Sequence, residues 1–536
     1  MEHTIVRIST GFLRGTIKEA LNGKPFHSFQ GIPFAQPPLG ALRFKAPVPA
    51  KSWEGIRDAF SQASPHYGRE LQPTITASGK MEFPILGCED SLYLNVFTPA
   101  LPHDQYELRP VIVFIHGGAY EGGGTQRYGP EVLLTEDVVL VTTSYRFGAL
   151  GFLSLDDPEL GVTGNAGMKD LVLALKWIQQ NIKVFNGDPN NVTIYGESAG
   201  ASSVHYLILS PTAKGLFHKA IMGSGAAFCY WALGQSDNGV KLAERLGCIG
   251  TTKEDILTFL QNLSPDEILK EQLNLTERAP SAPNLFAPVV ENPCAPDAFL
   301  TENPIDLIVS GKYNHVPMIF GFNSDEGAIF SFAEVNPVAE ENIVPSILKL
   351  KRGGEEHTAI AKKLRTFYLR DEPERTERGL LTENGKKLVS FTTFLRPVLQ
   401  STRLHSKNCE ESVYLYRLSV STKLGYLSKG KSKGVWHADD LGYFFHVPNA
   451  PKVQPGSLED ITRKRFVTLF INFVKTGNPN PRKISDLIPI KWEPVKNGEM
   501  KLLDIGKNLA MKIDPEEDSM LMWDEIFQSY DHSKHY

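Results

Sequence analysis

The stretch 193–207, TIYGESAGASSVHYL, sets Ser198 between two glycines, Gly196 and Gly200. The β-branched and aromatic residues before it read as a strand and ASSVHYLIL after it as a helix, so Ser198 falls on a sharp strand-to-helix turn. Glycine on either side removes side chains that would crowd a strained residue. A hydroxyl held there stands at a helix N-terminus, where backbone N–H groups and the helix dipole favour a developing oxyanion. The pattern Gly-x-Ser-x-Gly recurs by chance, so a nucleophilic reading of Ser198 needs partners elsewhere in the chain.

Three kinds of partner are present. PVIVFIHGGAYEGGGT leaves a strand into a glycine-rich loop, where Gly117, Gly118 and Ala119 offer N–H groups with little steric cover. The loop lacks the Gly-Lys-Ser/Thr of a phosphate cradle and does not fit G-x-G-x-x-G opening a helix. A base is found in GVWHADDLGYFF, where His437 follows the apolar run VYLYRL after a polar loop. His437, Asp439 and Asp440 make a poor metal set, with no H-E-x-x-H and no second histidine at ligand spacing. An acid to orient the imidazole stands in IFGFNSDEGA, just past another apolar run, as Asp325 or Glu326.

These residues must be positioned by a scaffold. Segments 111–115, 138–144, 192–195, 318–322 and 413–418 read as buried strands. Between two of them Leu171, Leu175, Ile178 and Ile182 recur on one face of a helix. The alternation predicts an α/β fold with a central, mostly parallel sheet flanked by helices. No repeat and no Pro- or Ser-rich linker divides the chain, which predicts one domain over 1–536. Segment 349–387 is denser in charge and reads as exposed helices inserted between two strands, either a solvated excursion or a cap at a pocket mouth.

Composition excludes several classes. The chain has 536 residues, 41% of them hydrophobic and 22% charged, enough apolar surface for a large core. A net charge of -5 gives no general attraction to nucleic acid or anionic lipid, and no stretch approaches the roughly 18 apolar residues of a membrane span. MEHTIVRISTGFLRG lacks the basic-then-apolar pattern of a secretory signal, so a cytoplasmic location is expected. The five cysteines, Cys88, Cys229, Cys248, Cys294 and Cys409, are scattered and read as free thiols of a reducing compartment. Sequons at Asn191, Asn262 and Asn274 matter only on the secretory route. Lys423, Lys429, Lys431 and Lys433 read as a solvated loop.

Taken in order, FQGIPFAQPPLGALRFKAPVPAKSW, GCEDSLYLNVFTP, SYRFGALGFLS, GNAGMKD, FNGDPNNVTIYGESAG, FAPVVE, GFNSDEG and HADDLGYFF resemble the type-B carboxylesterase and cholinesterase family of the α/β-hydrolase fold. The resemblance runs over nearly the whole chain and looks most like insect intracellular α-esterase-type carboxylesterases. It implies an α/β-hydrolase with helical insertions around an active-site gorge, and a Ser198–Glu326–His437 triad, choosing Glu326 over Asp325. It also implies oxyanion donors at Gly118, Ala119 and Ala199, electrostatic support from Glu197, and a substrate pocket with Trp231 and Tyr120. No metal or organic cofactor is implied; the expected substrate is a small to medium uncharged apolar ester, with a specialised hormone or pheromone ester as an alternative, and the expected state a monomer or homodimer.

Departures from the family pattern refine the expectation. FSQASPHYG gives Cys88 no disulfide partner, and no cysteine stands near Phe259 to pair with Cys248. ITASGKMEFPILGCED lacks the tryptophan with which the cholinesterase branch binds a quaternary ammonium, so choline esters are disfavoured. Juvenile-hormone esterases usually carry Gln at the place of Glu197. Ala119 stands where many relatives have glycine, and Leu171 where many have glutamine. The same triad would also serve a sequestering protein that is acylated or phosphorylated at Ser198 and released slowly. A non-enzymatic adhesion relative would lack the serine.

Overall fold

The computed structural model describes residues 3–70, 74–75, 81–102, 107–275, 284–332, 336–370, 372–373, 375–377, 379–446, 450–514 and 516–530. Among the described residues thirteen strands join in one sheet. They are β1 (His3–Ile8), β2 (Gly11–Glu19), β3 (Pro25–Pro33), β4 (Ile56–Asp58), β5 (Tyr93–Thr98), β6 (Arg109–Ile115) and β7 (Val139–Thr143). β8 (Gly187–Glu197), β9 (Lys219–Gly223), β10 (Met318–Asn323), β11 (Val413–Leu418), β12 (Lys501–Ile505) and β13 (Leu509–Ile513) follow. The order is β1-β2-β3-β5-β7-β6-β8-β9-β10-β11-β12-β13, with β4 beside β2. From β7 to β12 every neighbouring pair is parallel. Antiparallel pairs flank this run, through β1, β2, β3 and β5 on one side and β13 on the other.

The central strands are apolar on both faces because both are covered. In β6, Val111, Val113 and Ile115 enter one core layer and Ile112 and Phe114 the other. β11 repeats this, with Val413 and Leu415 opposite Tyr414 and Tyr416. Strand 413–418 has its expected bounds, and 111–115 extends back to Arg109. The predicted 192–195 grows to Gly187–Glu197, because Gly187 pairs with Arg109 before an irregularity and the ladder resumes at Val111 and Val192. Helix α1 (Ala166–Asn181) buries Leu171, Leu175 and Ile178 against the sheet, and Ile182 begins the 3-10 turn that follows.

Between β10 and β11 the chain forms α3 (Glu355–Leu369), α4 (Glu383–Ser390), one π-helical turn (Phe391–Leu395) and α5 (Arg396–Asn408), after α2 (Ala199–Leu209) has covered the sheet centre. The excursion expected at 349–387 is exposed on one face only. Glu355, Glu356 and Lys362 face solvent, whereas Ile360, Leu364 and Tyr368 are buried. A second insertion between β9 and β10, with helices Asn238–Arg245, Lys253–Asn262 and Pro265–Leu275, was not anticipated. Because the central strands are parallel, the loops after β6, β8, β9, β10 and β11 leave the same edge of the sheet, where ligand sites of open α/β sheets form. Among the described residues no helix is long and apolar enough to cross a membrane.

Candidate active site

Ser198 follows β8 directly and sits at the N-cap of α2 with φ 58° and ψ -124°, a conformation strained for a residue with a side chain. Backbone contacts hold it there. The Ser198 amide donates to the Gly223 carbonyl at 2.8 Å, and the Ser198 carbonyl accepts from the Ser202 amide at 3.0 Å. A Cβ on Gly196 would stand 2.2 Å from the Gly200 oxygen, and one on Gly200 would stand 2.0 Å from the Ile115 oxygen. The two glycines are therefore required by close packing of β8, α2 and β6.

The loop after β6 packs on this turn. A Cβ on Gly117 would lie 2.9 Å from Cβ of Ser198 and 2.6 Å from the Glu197 oxygen. Gly118, Ala119 and Tyr120 follow with φ of 131°, 54° and 58°. The bend is fixed by bonds to its carbonyls: the amides of Glu121 and Gly122 donate to Gly118 O, and Asn284 Nδ2 donates to Ala119 O at 2.9 Å. Its stem is held by Tyr145, whose hydroxyl donates to His116 O at 3.0 Å. Among the described residues nothing accepts from the amides of Gly118, Ala119 or Ala199. Backbone donors left open beside a buried serine are ready for an oxyanion.

Glu326 and His437 meet although 111 residues separate them: Nδ1 of the imidazole and Oε2 of the carboxylate lie 2.6 Å apart. Their loops run side by side, the Asp325 amide donating to Val435 O at 2.8 Å. The other oxygen of Glu326 accepts from Ser224 Oγ at 2.5 Å and from the Asn323 amide at 2.6 Å. Carboxylate and ring orientation are thus both determined. Asp325 turns away, 3.7 Å from Lys386 Nζ on α4. His437 Nε2 faces Glu197 Oε1 at 3.3 Å, which brings this nitrogen to the residue preceding Ser198. Asp439 accepts from the amides of Leu427, Ser428 and Trp436, and Asp440 from Asn323 Nδ2 and the Tyr416 hydroxyl.

Electrostatics follow from burial and from the neighbouring acids. Burial alone pushes the His437 imidazole down, but the charge of Glu197, then that of Glu326 with its hydrogen bond, outweighs it and raises the group to about 9. Burial raises Glu197 to about 8, the opposing pull of His437 notwithstanding, with Asp440 and Glu326 adding to the rise. At 3.3 Å the two act on each other through charge, the Glu197 carboxylate favouring the charged imidazole and the imidazolium favouring the carboxylate. Burial also raises Asp440, to about 6.

Trp231 is half-buried, and its Nε1 donates to the Thr393 carbonyl at 3.2 Å. With Phe330 and Phe394 it forms an apolar aromatic group, ring centroids of Trp231 and Phe330 standing 6.0 and 6.4 Å from that of Phe394. Tyr120 is placed differently from what a pocket-lining residue requires. It has no exposed surface, its hydroxyl accepts from Ser203 Oγ at 3.1 Å, and its ring meets Phe152 edge-on, so it supports the glycine-rich loop from behind.

The structure thus gathers Ser198, Glu197, Glu326, His437, Gly118, Ala119 and Ala199. Sequence reasoning missed Ser224, Asn323, Asn284 and Phe394, whose ring stacks on His437 at 4.3 Å and 29°. Ser224, one residue beyond the strand next to the serine's own, and Asn323, one residue beyond the expected 318–322, carried a positional signal.

A sequence model described as "Carboxylesterase family" matches residues 2–523. A protein named carboxylic ester hydrolase from Bombus ignitus is 32% identical over 537 residues, 96% of this chain and 92% of its own length. Esterase FE4 of Myzus persicae is 34% identical over 513 residues, 91% of this chain and 87% of its own. The crystal structure of juvenile hormone esterase from Manduca sexta, with OTFP covalently attached, superposes with a TM-score of 0.83 at 28% identity, covering 98% of this chain and 100% of that one.

Proposed function

The chain belongs to the carboxylesterase family, with its α/β-hydrolase fold, and is an ester hydrolase; we propose that it cleaves small to medium uncharged, apolar esters through an acyl-enzyme on Ser198. His437 removes the Ser198 proton at Nε2 as Oγ attacks the ester carbonyl, and returns it to the departing alcohol. Water then loses a proton to the same nitrogen, attacks the acyl carbon, and the carbon–Oγ bond breaks as Ser198 is reprotonated. For Nε2 to accept, the imidazole must be neutral, so the rate rises with pH towards its raised pKa. Glu326 holds the ring with Nδ1 protonated, and the amides of Gly118, Ala119 and Ala199 bind the oxyanion, each such donor being worth roughly 2.7–4 kcal/mol.

One observation carries this reading. A strained serine, three amides without acceptors among the described residues, and an imidazole fixed at 2.6 Å by a fully buried carboxylate converge at one edge of the sheet. The aromatic group around Trp231 supports an apolar acyl moiety. The free cysteines, Cys294 among them exposed, support work in a reducing compartment, and recovery of the native protein only from extracellular fluid would contradict this.

Stopped-flow mixing with a short-chain p-nitrophenyl ester tests the proposal. Rapid turnover in wild type that is absent from Ser198→Ala is expected. A burst followed by near-arrest would favour sequestration of that acyl group, and equal signals in both proteins would overturn the assignment.

A further inference from the structure

The π-helical turn at Phe391–Leu395 has a local cause and a distant effect. Pro397 stands in the first turn of α5. It has no N–H to give the carbonyl four residues back, that of Thr393, and its ring crowds that oxygen. The helix widens there, as π turns do at functional sites, and Thr393 O accepts from the indole N–H of Trp231 at 3.2 Å. The next residue, Phe394, is 3% exposed and lies against the His437 ring, centroids 4.3 Å apart and planes at 29°.

This chain of contacts leads from a half-buried wall residue to the base. The acidic partner of that base is held from the same excursion. The Gly327 amide donates to Ser390 Oγ at 2.7 Å, and a Cβ on Gly327 would stand 2.4 Å from Lys386 O. Glu326 and His437 therefore rest on consecutive parts of one helical segment, α4 and the turn that follows it.

Building on the acyl-enzyme reading, we infer that Phe394 is a positioning residue for His437, and that Trp231, through its bond to Thr393 O, sets the position of Phe394, so that the wall of the acyl pocket controls release of the acyl group. An acyl chain that displaces Trp231 strains the bond to Thr393 O and loosens the stack on His437. Short acyl chains leave it intact, and their acyl-enzymes turn over faster.

The groups facing the imidazole are Glu197, Glu326 and, more distantly, Asp440. An aromatic face beside the ring favours its charged form. Without it the midpoint of the pH–deacylation curve moves down by about one unit, and loss of orientation slows deacylation about tenfold.

The test is single-turnover deacylation of the full chain, acetyl against hexanoyl, across pH, in wild type, Phe394→Leu, Trp231→Phe, their double variant, and Pro397→Ala. Trp231→Phe keeps a ring and removes the N–H; Pro397→Ala supplies a backbone N–H that competes for Thr393 O. We expect Phe394→Leu to slow both acyl groups and shift the pH midpoint. Trp231→Phe and Pro397→Ala should do the same to a smaller extent with acetyl, and Trp231→Phe should change nothing further once Phe394 is leucine. Additive effects with an unmoved pH midpoint would reduce Phe394 to a packing residue and overturn the inference, as would a Pro397→Ala protein with the wild-type profile. Absence of a Ser198-dependent acyl-enzyme would instead reject the underlying reading, a separate outcome seen before any variant is compared.

Discussion

The two halves of the site are built differently. The Ser198 half is made of backbone packed on backbone, with β6, β8 and α2 so close that Gly117, Gly196 and Gly200 admit no Cβ. The His437 half is made of contacts of two side chains: Glu326 accepting from the Ser224 hydroxyl and the nearby Asn323 amide, Glu326 meeting His437 from a distant loop, and Phe394 against the ring. The first arrangement is as rigid as the fold itself. The second is adjustable, and its charge balance depends on buried acids. The difference predicts that changes in the first half damage folding and changes in the second damage rate or pH dependence.

The largest effect should come from the second half. Glu326→Gln should lower kcat about 10⁴-fold while thermal unfolding stays near wild type; a loss of stability in step with the loss of rate would break the comparison. Gly200→Ala, in the first half, should destabilise by about 3 kcal/mol through overpacking against the Ile115 oxygen. It should appear as a lower urea midpoint at unchanged slope; an unmoved midpoint would show that the backbone yields easily.

Asn284→Ala tests the border of the contrast, because this side chain holds the carbonyl of Ala119, whose own amide is a proposed oxyanion donor, without being a donor itself. It should lower kcat about tenfold, less than loss of a whole donor, with KM unchanged; a pure KM effect would assign Asn284 to substrate contact. The smallest change is expected of Glu197→Gln. The charge of Glu197 is the largest influence raising His437, so its removal lowers that pKa, the base becomes neutral at lower pH, and the acid limb of kcat/KM moves acidward by about one unit. An unmoved limb would mean that Glu326 alone sets the basicity.

The same contrast explains what was legible in the chain. The elbow could be read because its constraints are local: a strand, a turn and a helix within fifteen consecutive letters, with glycines where a Cβ would collide. The strand 413–418 was legible because burial on both faces leaves a run, VYLYRL, that is apolar except at Arg417. The start of β8 was hidden, since Gly187-Asp188-Pro189 spells a turn and pairs with Arg109 only across an irregularity. The helices between β9 and β10 were missed although a signal existed: Thr252 and Asp255 form a capping box at the start of Lys253–Asn262.

Glu326 was chosen over Asp325 by resemblance alone, since the residues themselves left both open; the structure turns only Glu326 towards the imidazole. Phe394 had no signal. Its place depends on a proline three residues later and on the Trp231 indole, 162 residues before Thr393, neither of which marks a phenylalanine as special. Tyr120 shows the converse. The resemblance implied a place in the substrate pocket, but the left-handed turn at 119–120 sends its ring into the core.

The central claim is that an acyl group is carried by Ser198, and acid-quenched mass spectrometry after brief mixing with p-nitrophenyl acetate tests it most directly. The account predicts one acetyl group per chain on the peptide containing Ser198, absent from Ser198→Ala and decaying at the rate of turnover. Acetyl on another residue, or equal labelling of both proteins, would contradict it.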